Sequence, residues 1–466
     1  MITDDIAKAF PDVLVPNVGN YYTEYIAKWK LIYENHPEWS EVQKTGIYKK
    51  GKRQMNRLNV AKVLSDLFAS LTFSEQVDIE CGNETYNEYI KTMLNANGFW
   101  KHIPDFISKA CAFGGGALKV YASGGVPCIE YIHADRFVPI MWNGKAIVGA
   151  VIESKSQRNG FFYTFLEKHT PGRAEYKLFR SRSSDTIGDE VPVSELYPDL
   201  PDAVDYGAEV PMFVYFKPDV SNNAEYDVPL GMSVYANAID TLHAIDTTYD
   251  EFISEIKLGR RRLIVPSETL TSSYDAKTEK WVHAYDSDDE IYVVFNSEDR
   301  ENANITTVDV GLRIQEFVDA LNAHLNVLCL QVGLSAGSLT FDKVEGLKTA
   351  TEVISEESRT QRTVKGDKNL LTEAFEGLVH ALVAVGRYLG MIPQTQYTVT
   401  VSWQDNVIVD DNTLIDNTIK LYSAGLIDAI TAIMKVNKCD EETAKKMYAL
   451  IQQEEPVGET DTFGQQ

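Results

Sequence analysis

The spacing of apolar residues along the chain switches repeatedly between helical and alternating, and each switch predicts a different element. Tyr21–Asn35 is an aromatic-rich amphipathic stretch with Pro37 just beyond it, which predicts a helix that stops before the proline. Val60, Val63, Leu64, Leu67, Phe68 and Leu71 share one face of a helix predicted over Asn56–Leu71. In TFSEQVDIE, directly after it, Phe73, Val77 and Ile79 alternate as in an edge strand. Glu84–Ala96 and Trp100–Phe113 read as two further helices.

From Gly114 to about Phe216 the period falls towards two, through LKVYA, PCIEYIHA, RFVPIMW, AIVGAVIES, FFYTFLEKH and EYKLFR. Gly124-Gly125 and Asn143-Gly144 supply the turn chemistry of tight hairpins, so this lobe is expected to be antiparallel. Strands do not alternate with helices here, and a doubly wound nucleotide-binding sheet is not expected.

Pro229-Leu230-Gly231 precedes a helix predicted from Ser233 to about Leu258. Its apolar residues Leu242, Ile245, Tyr249, Phe252 and Ile256 form a narrow seam, as on a helix clamped between neighbours. Asp240, Asp246, Asp250, Glu251 and Glu255 occupy the other faces. Arg260-Arg261-Arg262 follows, placing cations where the helix dipole favours them. A β insertion over Leu263–Val310 then carries LIVP, KWVHAY and EIYVVF, the last two flanking the acidic turn Asp286–Glu290. A second helix, predicted from about Leu312 to Leu334, carries Ile314, Phe317, Val318, Leu321, Leu325 and Leu328. Helix, β module and helix in that order predict an antiparallel pair with the β module at its tip. Ala350–Leu389 reads as one long helix with a possible kink at Gly366, and YTVTVSW (Tyr397–Trp403) as a strand. Two or three short helices are expected over Asp410–Gln452, broken near Ser423–Gly425 and Asn437–Cys439, before a disordered tail. The class is α+β.

Composition changes the picture mainly through charge. The 466 residues carry 44 Lys+Arg against 68 Asp+Glu, a formal net charge of −24. Such a chain repels a phosphate backbone except at local spots, which argues against an adhesive nucleic-acid binder. One local spot is basic: Lys44, Lys49, Lys50, Lys52, Arg53 and Arg57 run without an acid among them, as a solvated loop or a contact for DNA or capsid. The five cysteines are scattered, with no spacing of a metal site or disulfide framework. The first residues, MITDDIAKAF, lack the pattern of a signal peptide. The most apolar stretch, Leu378–Ile392, is interrupted by His380 and Arg387, so no membrane span is expected, and the chain reads as a soluble protein of a reducing cytosol.

Catalytic chemistry is poorly represented. Gly333-Leu334-Ser335-Ala336-Gly337 fits the nucleophile elbow of hydrolases, but that device needs a strand before the serine and a helix directly after it. Here an amphipathic helix precedes it and SLTFDKVEG follows. Phe113-Gly114-Gly115-Gly116 is not a phosphate-binding loop, since no GKS or GKT occurs, and is read as a helix-to-strand turn. No cofactor, metal site or catalytic residue is expected.

Leu334–Thr363, LSAGSLTFDKVEGLKTATEVISEESRTQRT, is the most distinctive stretch, with KTATEV (Lys348–Val353) and RTQRT (Arg359–Thr363) its sharpest marks. It resembles the tunnel-loop region of portal proteins of long-tailed double-stranded DNA bacteriophages. LNVAKVLSDLFASLTFSEQVDIE, Pro229–Ser233 and SWQDN (Ser402–Asn406) resemble other blocks of the same family. The resemblance implies a portal fold: an α/β wing over residues 1–230, stem helices over 231–262 and 311–334, and a small β-rich clip over 263–310. The tunnel loop would span 335–349, the long spine helix and its returning strand 350–401, and a helical crown and tail 402–466. It also implies a homo-oligomeric ring of about twelve subunits at one capsid vertex. Double-stranded DNA would pass through, with terminase, head–tail connector, major capsid and scaffolding proteins as partners. Assembly would take place in the host cytoplasm and the product would sit in the virion. Ser338, Thr340, Phe341, Asp342, Lys343 and Lys348 would belong to the DNA-tunnel loop, with Thr340, Phe341, Asp342 and Lys343 nearest DNA, and Arg260, Arg261 and Arg262 would face the tunnel or a neighbouring subunit. The competing expectations are a capsid or tail component without a tunnel and, more remotely, a hydrolase using Ser335.

Overall fold

A computed structural model describes residues 2–13, 19, 21–45, 50–73, 77–144, 146–259, 262–266, 272–275, 280–283, 292–295, 306–308, 311–341, 350–403, 411–437 and 441–453. The chain divides into two compact units, Met1–Leu347 with Val353–Ser402, and Lys348–Glu352 with Trp403–Gln466. The fold is α+β.

After α1 (Ile2–Ala9), the predicted aromatic helix opens as a π-helical turn, Tyr21–Ile26, and continues as α2 (Ala27–Tyr33). Tyr21, Tyr25 and Trp29 pack ring against ring at 5.4–6.0 Å, with Tyr21 and Trp29 buried. The basic stretch is largely not a loop. β1 (Glu41–Thr45) and β2 (Lys50–Gln54) pair as an antiparallel hairpin. α3 (Val60–Thr72) starts four residues later than its apolar pattern allows, because Asn59 adopts a left-handed conformation (φ +50°) and residues 55–59 are non-helical. β3 (Val77–Glu80), α4 (Glu84–Ala96) and α5 (Phe99–Phe113) follow. Asn83 caps α4 by accepting the Thr85 N–H at 3.0 Å.

The alternating region is antiparallel, as its hairpin turns require. β4 (Gly116–Ser123) and β5 (Val126–His133) join β12 (Phe213–Phe216) in a three-stranded sheet, order β12-β4-β5. β6 (Phe137–Asn143), β7 (Ala146–Arg158), β8 (Phe161–Thr170), β9 (Arg173–Ser181) and β10 (Asp189–Val191) form a second sheet, in which β11 (Ala203–Asp205) also pairs with β9. Ala117, Leu118, Val120, Ile132, Val138, Ile152 and Leu166 are completely buried.

α6 (Ile239–Leu258) begins six residues after the predicted Ser233. The segment before it is held by a crossing of two backbones. A Cβ on Gly114 would lie 2.6 Å from the Gly231 oxygen, and one on Gly231 would lie 2.4 Å from the Gly114 oxygen. Tyr21 donates its hydroxyl to Gly231 O at 2.6 Å, and the Val234 N–H bonds Cys111 O at 3.0 Å. These bonds commit residues 231–234 to the α5–β4 corner, so the helix can start only beyond it.

β13 (Arg262–Pro266), β14 (Ser272–Asp275), β15 (Lys280–His283), β16 (Tyr292–Phe295) and β17 (Thr306–Val308) make up the β insertion. KWVHAY and EIYVVF are not each other's partners: β15 pairs with β14, and β16 runs parallel to β13. α7 (Ile314–Val332) and α8 (Ala350–Tyr388) complete the first unit's helices. α8 runs through Gly366 unbroken. The glycine is there for close approach, since a Cβ would meet Asp219 Oδ2 at 2.0 Å. The apolar second half of α8 is core, with Leu371, Phe375, Leu378, Val379, Leu382 and Val385 fully buried. β18 (Thr400–Trp403) pairs with β3, and α9 (Asp411–Ser423), α10 (Ala429–Asn437) and α11 (Glu441–Gln453) belong to the second unit. The tail expected to be disordered lies outside the described residues.

The backbone crossing makes a definite prediction. Gly114 has φ +83°, so Gly114→Ala adds left-handed strain to a direct clash with Gly231. It should destabilise the protein by about 2 kcal/mol or more in urea unfolding. The same substitution at Gly124, where a Cβ meets nothing within 4 Å, should cost only the strain.

Candidate functional site

The candidate site is the turn between α7 and α8, together with the helix pair that carries it. α6 and α7 are antiparallel: Thr241 near the start of α6 bonds Gln331 near the end of α7 at 2.8 Å. At the other end Arg313 donates to both carboxylate oxygens of Glu255, at 3.1 and 2.9 Å. Between these points the Phe252 and Phe317 rings meet at 5.5 Å. The α6 seam is buried at Leu242 and Ile245 but reaches 39 % exposure at Ile256.

α7 ends at Gly333 in the left-handed conformation. The turn that follows is clasped by α8. The Ser335 N–H donates to Thr360 Oγ1 at 2.9 Å, and the Thr360 N–H reaches Ser335 Oγ at 3.3 Å. Thr363 Oγ1 donates to Gly333 O at 2.7 Å, and Arg359 to Leu330 O at 2.9 Å. The RTQRT motif is therefore the far half of a clasp, in which two threonine hydroxyls and the Arg359 guanidinium reach the end of α7 and the turn. Ser335 is buried and spent on this clasp, and a helix rather than a strand precedes it. That is no nucleophile elbow.

Beyond the clasp the chain turns back along α7. Ser338 Oγ donates to Ser335 O at 2.8 Å. The Gly337 and Phe341 N–H groups donate to Asn326 Oδ1 at 3.0 Å and Asn322 Oδ1 at 2.8 Å. Asn322 and Asn326 stand one turn apart on the same face of α7 and give the loop two fixed points. Ser338, Thr340 and Phe341 are thereby presented outward, Phe341 with 42 % of its surface exposed. Asp342, Lys343 and Lys348 lie outside the described residues, as do Arg260 and Arg261. Arg262 opens β13.

The base of α6 shows what the sequence reading missed. Asp250 and Asp246, placed there among the polar faces, are only 4 % and 7 % exposed. Arg53 grips Asp250 through two N–H···O bonds of 2.8 and 2.6 Å, and Asn56 adds its backbone and side-chain N–H at 3.0 and 2.8 Å. The Arg53 bonds hold the Asp250 carboxyl down at about 2. Asp246 accepts from Trp39 Nε1 at 2.9 Å and from the Leu58 N–H at 3.2 Å, while burial pushes its pKa up. Arg57 spends its guanidinium on Asn35, Ser40 and Met55 oxygens. Two of the six cations read as a solvated or DNA-facing patch are thus structural, and Lys52 pairs with Glu41 at 2.8 Å. The signal was present: two acids four apart on one helix, and cations elsewhere without local acids.

Among the described residues no group of three or more His, Cys, Asp or Glu could hold a metal ion, and no helix is long and apolar enough to cross a membrane. The sequence matches the family described as "Phage portal protein, SPP1 Gp6-like" over residues 15–457. The chain belongs to the phage portal protein family. Portal proteins are structural and non-enzymatic, components of the virion, and membership implies capsid assembly and an oligomeric ring. A chain of the structure titled "Virion of native gene transfer agent (GTA) particle" is similar, with a TM-score of 0.41 and 12% identity, covering 81% of this chain and 88% of that one. A search of curated proteins returns no match.

Two predictions follow for this portal protein. Asp250 has a folded pKa of about 2 against 3.8 unfolded, so its contribution is complete above pH 4 and drains away as pH falls through 2. Asp250→Asn should cost on the order of 2 kcal/mol at pH 7, and the gap from wild type should close between pH 4 and pH 2 in urea melts. Asn322→Ala with Asn326→Ala should leave the melting temperature within a few degrees of wild type. Hydrogen exchange at the Gly337 and Phe341 amides should accelerate, because each loses its acceptor.

Proposed function

We propose that the chain is the subunit of a closed ring of about twelve copies at one capsid vertex, through which double-stranded DNA enters and leaves. In this reading α6 and α7 are the stem, the β insertion is the clip, and residues 335–349 form the loop at the narrowest part of the channel. Terminase docks on the clip during packaging and head–tail connector proteins dock there afterwards. The first lobe is the wing and residues 402–466 are the crown.

The observation that carries the reading is the clasped turn. Its first end, Leu330–Ser335, is locked against Arg359–Thr363 of α8, while Ser338, Thr340 and Phe341 are exposed beside the α6–α7 pair. A segment that is narrow, anchored and outward-facing suits contact with a polymer sliding past it. Ring closure is supported by apolar side chains that one chain leaves uncovered: Val327 and Leu330 on α7, at 45 % and 59 % exposure, and Ile256 on α6. Charge supports passage without adhesion. At −24 per subunit a ring of these chains is strongly acidic overall and disfavours adhesion of a phosphate backbone, and screening over about 8–10 Å keeps that repulsion local.

Negative-stain images of the purified protein should show rings with a central hole. Deleting Ser338–Glu345 should leave the rings intact and reduce the DNA retained per capsid, measured by nuclease-protected DNA. Capsids that fill and hold DNA normally with the deleted protein would overturn the loop's assignment. A strictly monomeric protein would overturn the ring.

A further inference from the structure

One cleft of the β-rich lobe shares no lining residue with α6, α7 or the turn. It occupies about 630 Å³ between the β4–β5 hairpin, the second sheet, the Leu196–Pro201 segment and the end of α8. Its floor is ionic and buried. Lys119, 3 % exposed, sits 2.7 Å from Glu167 Oε1 and 2.6 Å from Glu130 Oε2. The other Glu167 oxygen faces His169 Nε2 at 3.6 Å, and neither ring nitrogen of that 1 % exposed histidine has a hydrogen-bond partner among the described residues. Removing such groups from water is costly, and well-packed apolar residues would stabilise a core better.

The walls are aromatic. Tyr197 packs on Phe165 at 4.9 Å, and Tyr388 packs on Tyr206 at 5.1 Å. Tyr197 and Tyr388 remain 41 % and 49 % exposed at the mouth. The lining sets three carboxylates, Glu130, Glu167 and Asp199, against one ammonium, Lys119. Arg136 approaches Glu130 Oε1 only to 3.8 Å, from outside the lining. Glu130, 34 % exposed, and the exposed Asp199 are carboxylates a visitor can reach, whereas Glu167 is buried.

We propose that this cleft is a docking site for an arginine side chain presented on a segment of a partner protein. Excess negative charge selects a cation. Flat tyrosine faces favour a guanidinium over a compact ammonium, because the planar group can stack while its edge bonds a carboxylate. The volume exceeds one side chain and falls in the range of about 300–1,000 Å³ typical of sites for drug-sized ligands, so flanking residues of the segment are accommodated. The site is independent of the channel reading, since none of these residues lies on α6, α7 or the turn.

The test is calorimetric titration of the full-length protein with Ac-Ala-Arg-Ala-NH2, its citrulline counterpart and spermidine. The arginine peptide should bind saturably, one per chain, and the citrulline peptide should not. Glu130→Gln should weaken binding about ten-fold and Tyr197→Leu about three-fold, while Tyr197→Phe keeps the ring and should match wild type. Should Glu130→Gln fail to fold, the two Tyr197 variants decide. Absence of saturable binding, equal binding of the citrulline peptide, equal competition by spermidine, or indifference to Tyr197→Leu would each overturn the proposal.

Discussion

The buried charge of Asp250 is the constraint around which the first unit is arranged. A carboxylate at 4 % exposure is tolerable on α6 only because a bidentate guanidinium and two N–H groups of Asn56 surround it. That demand fixes the hairpin supplying Arg53 and the non-helical residues 55–59. The late start of α3 goes with it: the left-handed Asn59 keeps residues 55–59 out of the helix, and the N–H groups of Asn56 and Leu58 there bond Asp250 and Asp246. Hairpin, α3 and α6 are in this way one mechanical piece. Loss of either partner would strand a charge in the interior.

A helix held at its middle and at both ends can position what packs beside it. The Gly114–Gly231 crossing sets where α6 begins, and the Thr241–Gln331 and Arg313–Glu255 contacts tie it to α7 at both ends. α7 then delivers the Gly333–Ser335 turn to α8, where hydroxyls close the clasp. The chain of rigid contacts runs from the lobe through the helix pair to the outward residues Ser338–Phe341. Only then does the loop acquire fixed geometry of its own, through Asn322 and Asn326.

Local periodicity carried most of the element map. α4, and the strands from β4 to β9, fall where the apolar spacing and the glycine turns place them, because hairpins and short helices are decided by neighbours in sequence. What periodicity could not resolve was which polar residue turns inward. Asp250 lies 197 positions from Arg53, and on a helical wheel it is one acid among five. Likewise Ser335 and Thr360 are 25 positions apart, and G-x-S-x-G reads as chemistry until its partner is seen. The late start of α6 has the same origin: a favourable helical pattern is overridden by backbone bonds to residues more than a hundred positions away. In the turn itself, the asparagines that take the Gly337 and Phe341 N–H groups could not be read from the sequence. Asn322 and Asn326 lie on an amphipathic helix whose polar side is otherwise unremarkable.

The pairing of cations sets how weakly so acidic a chain attracts a phosphate backbone. Arg53, Arg57, Lys119 and Arg313 are each engaged by an acid or a backbone oxygen within the chain. A cation satisfied by an internal carboxylate releases few counterions when DNA approaches, so it adds little to the salt-dependent attraction on which non-specific binding depends. Internal pairing therefore does two things at once in so acidic a chain. It neutralises carboxylates that the fold needs buried, and it removes positive charge that would otherwise grip a phosphate backbone.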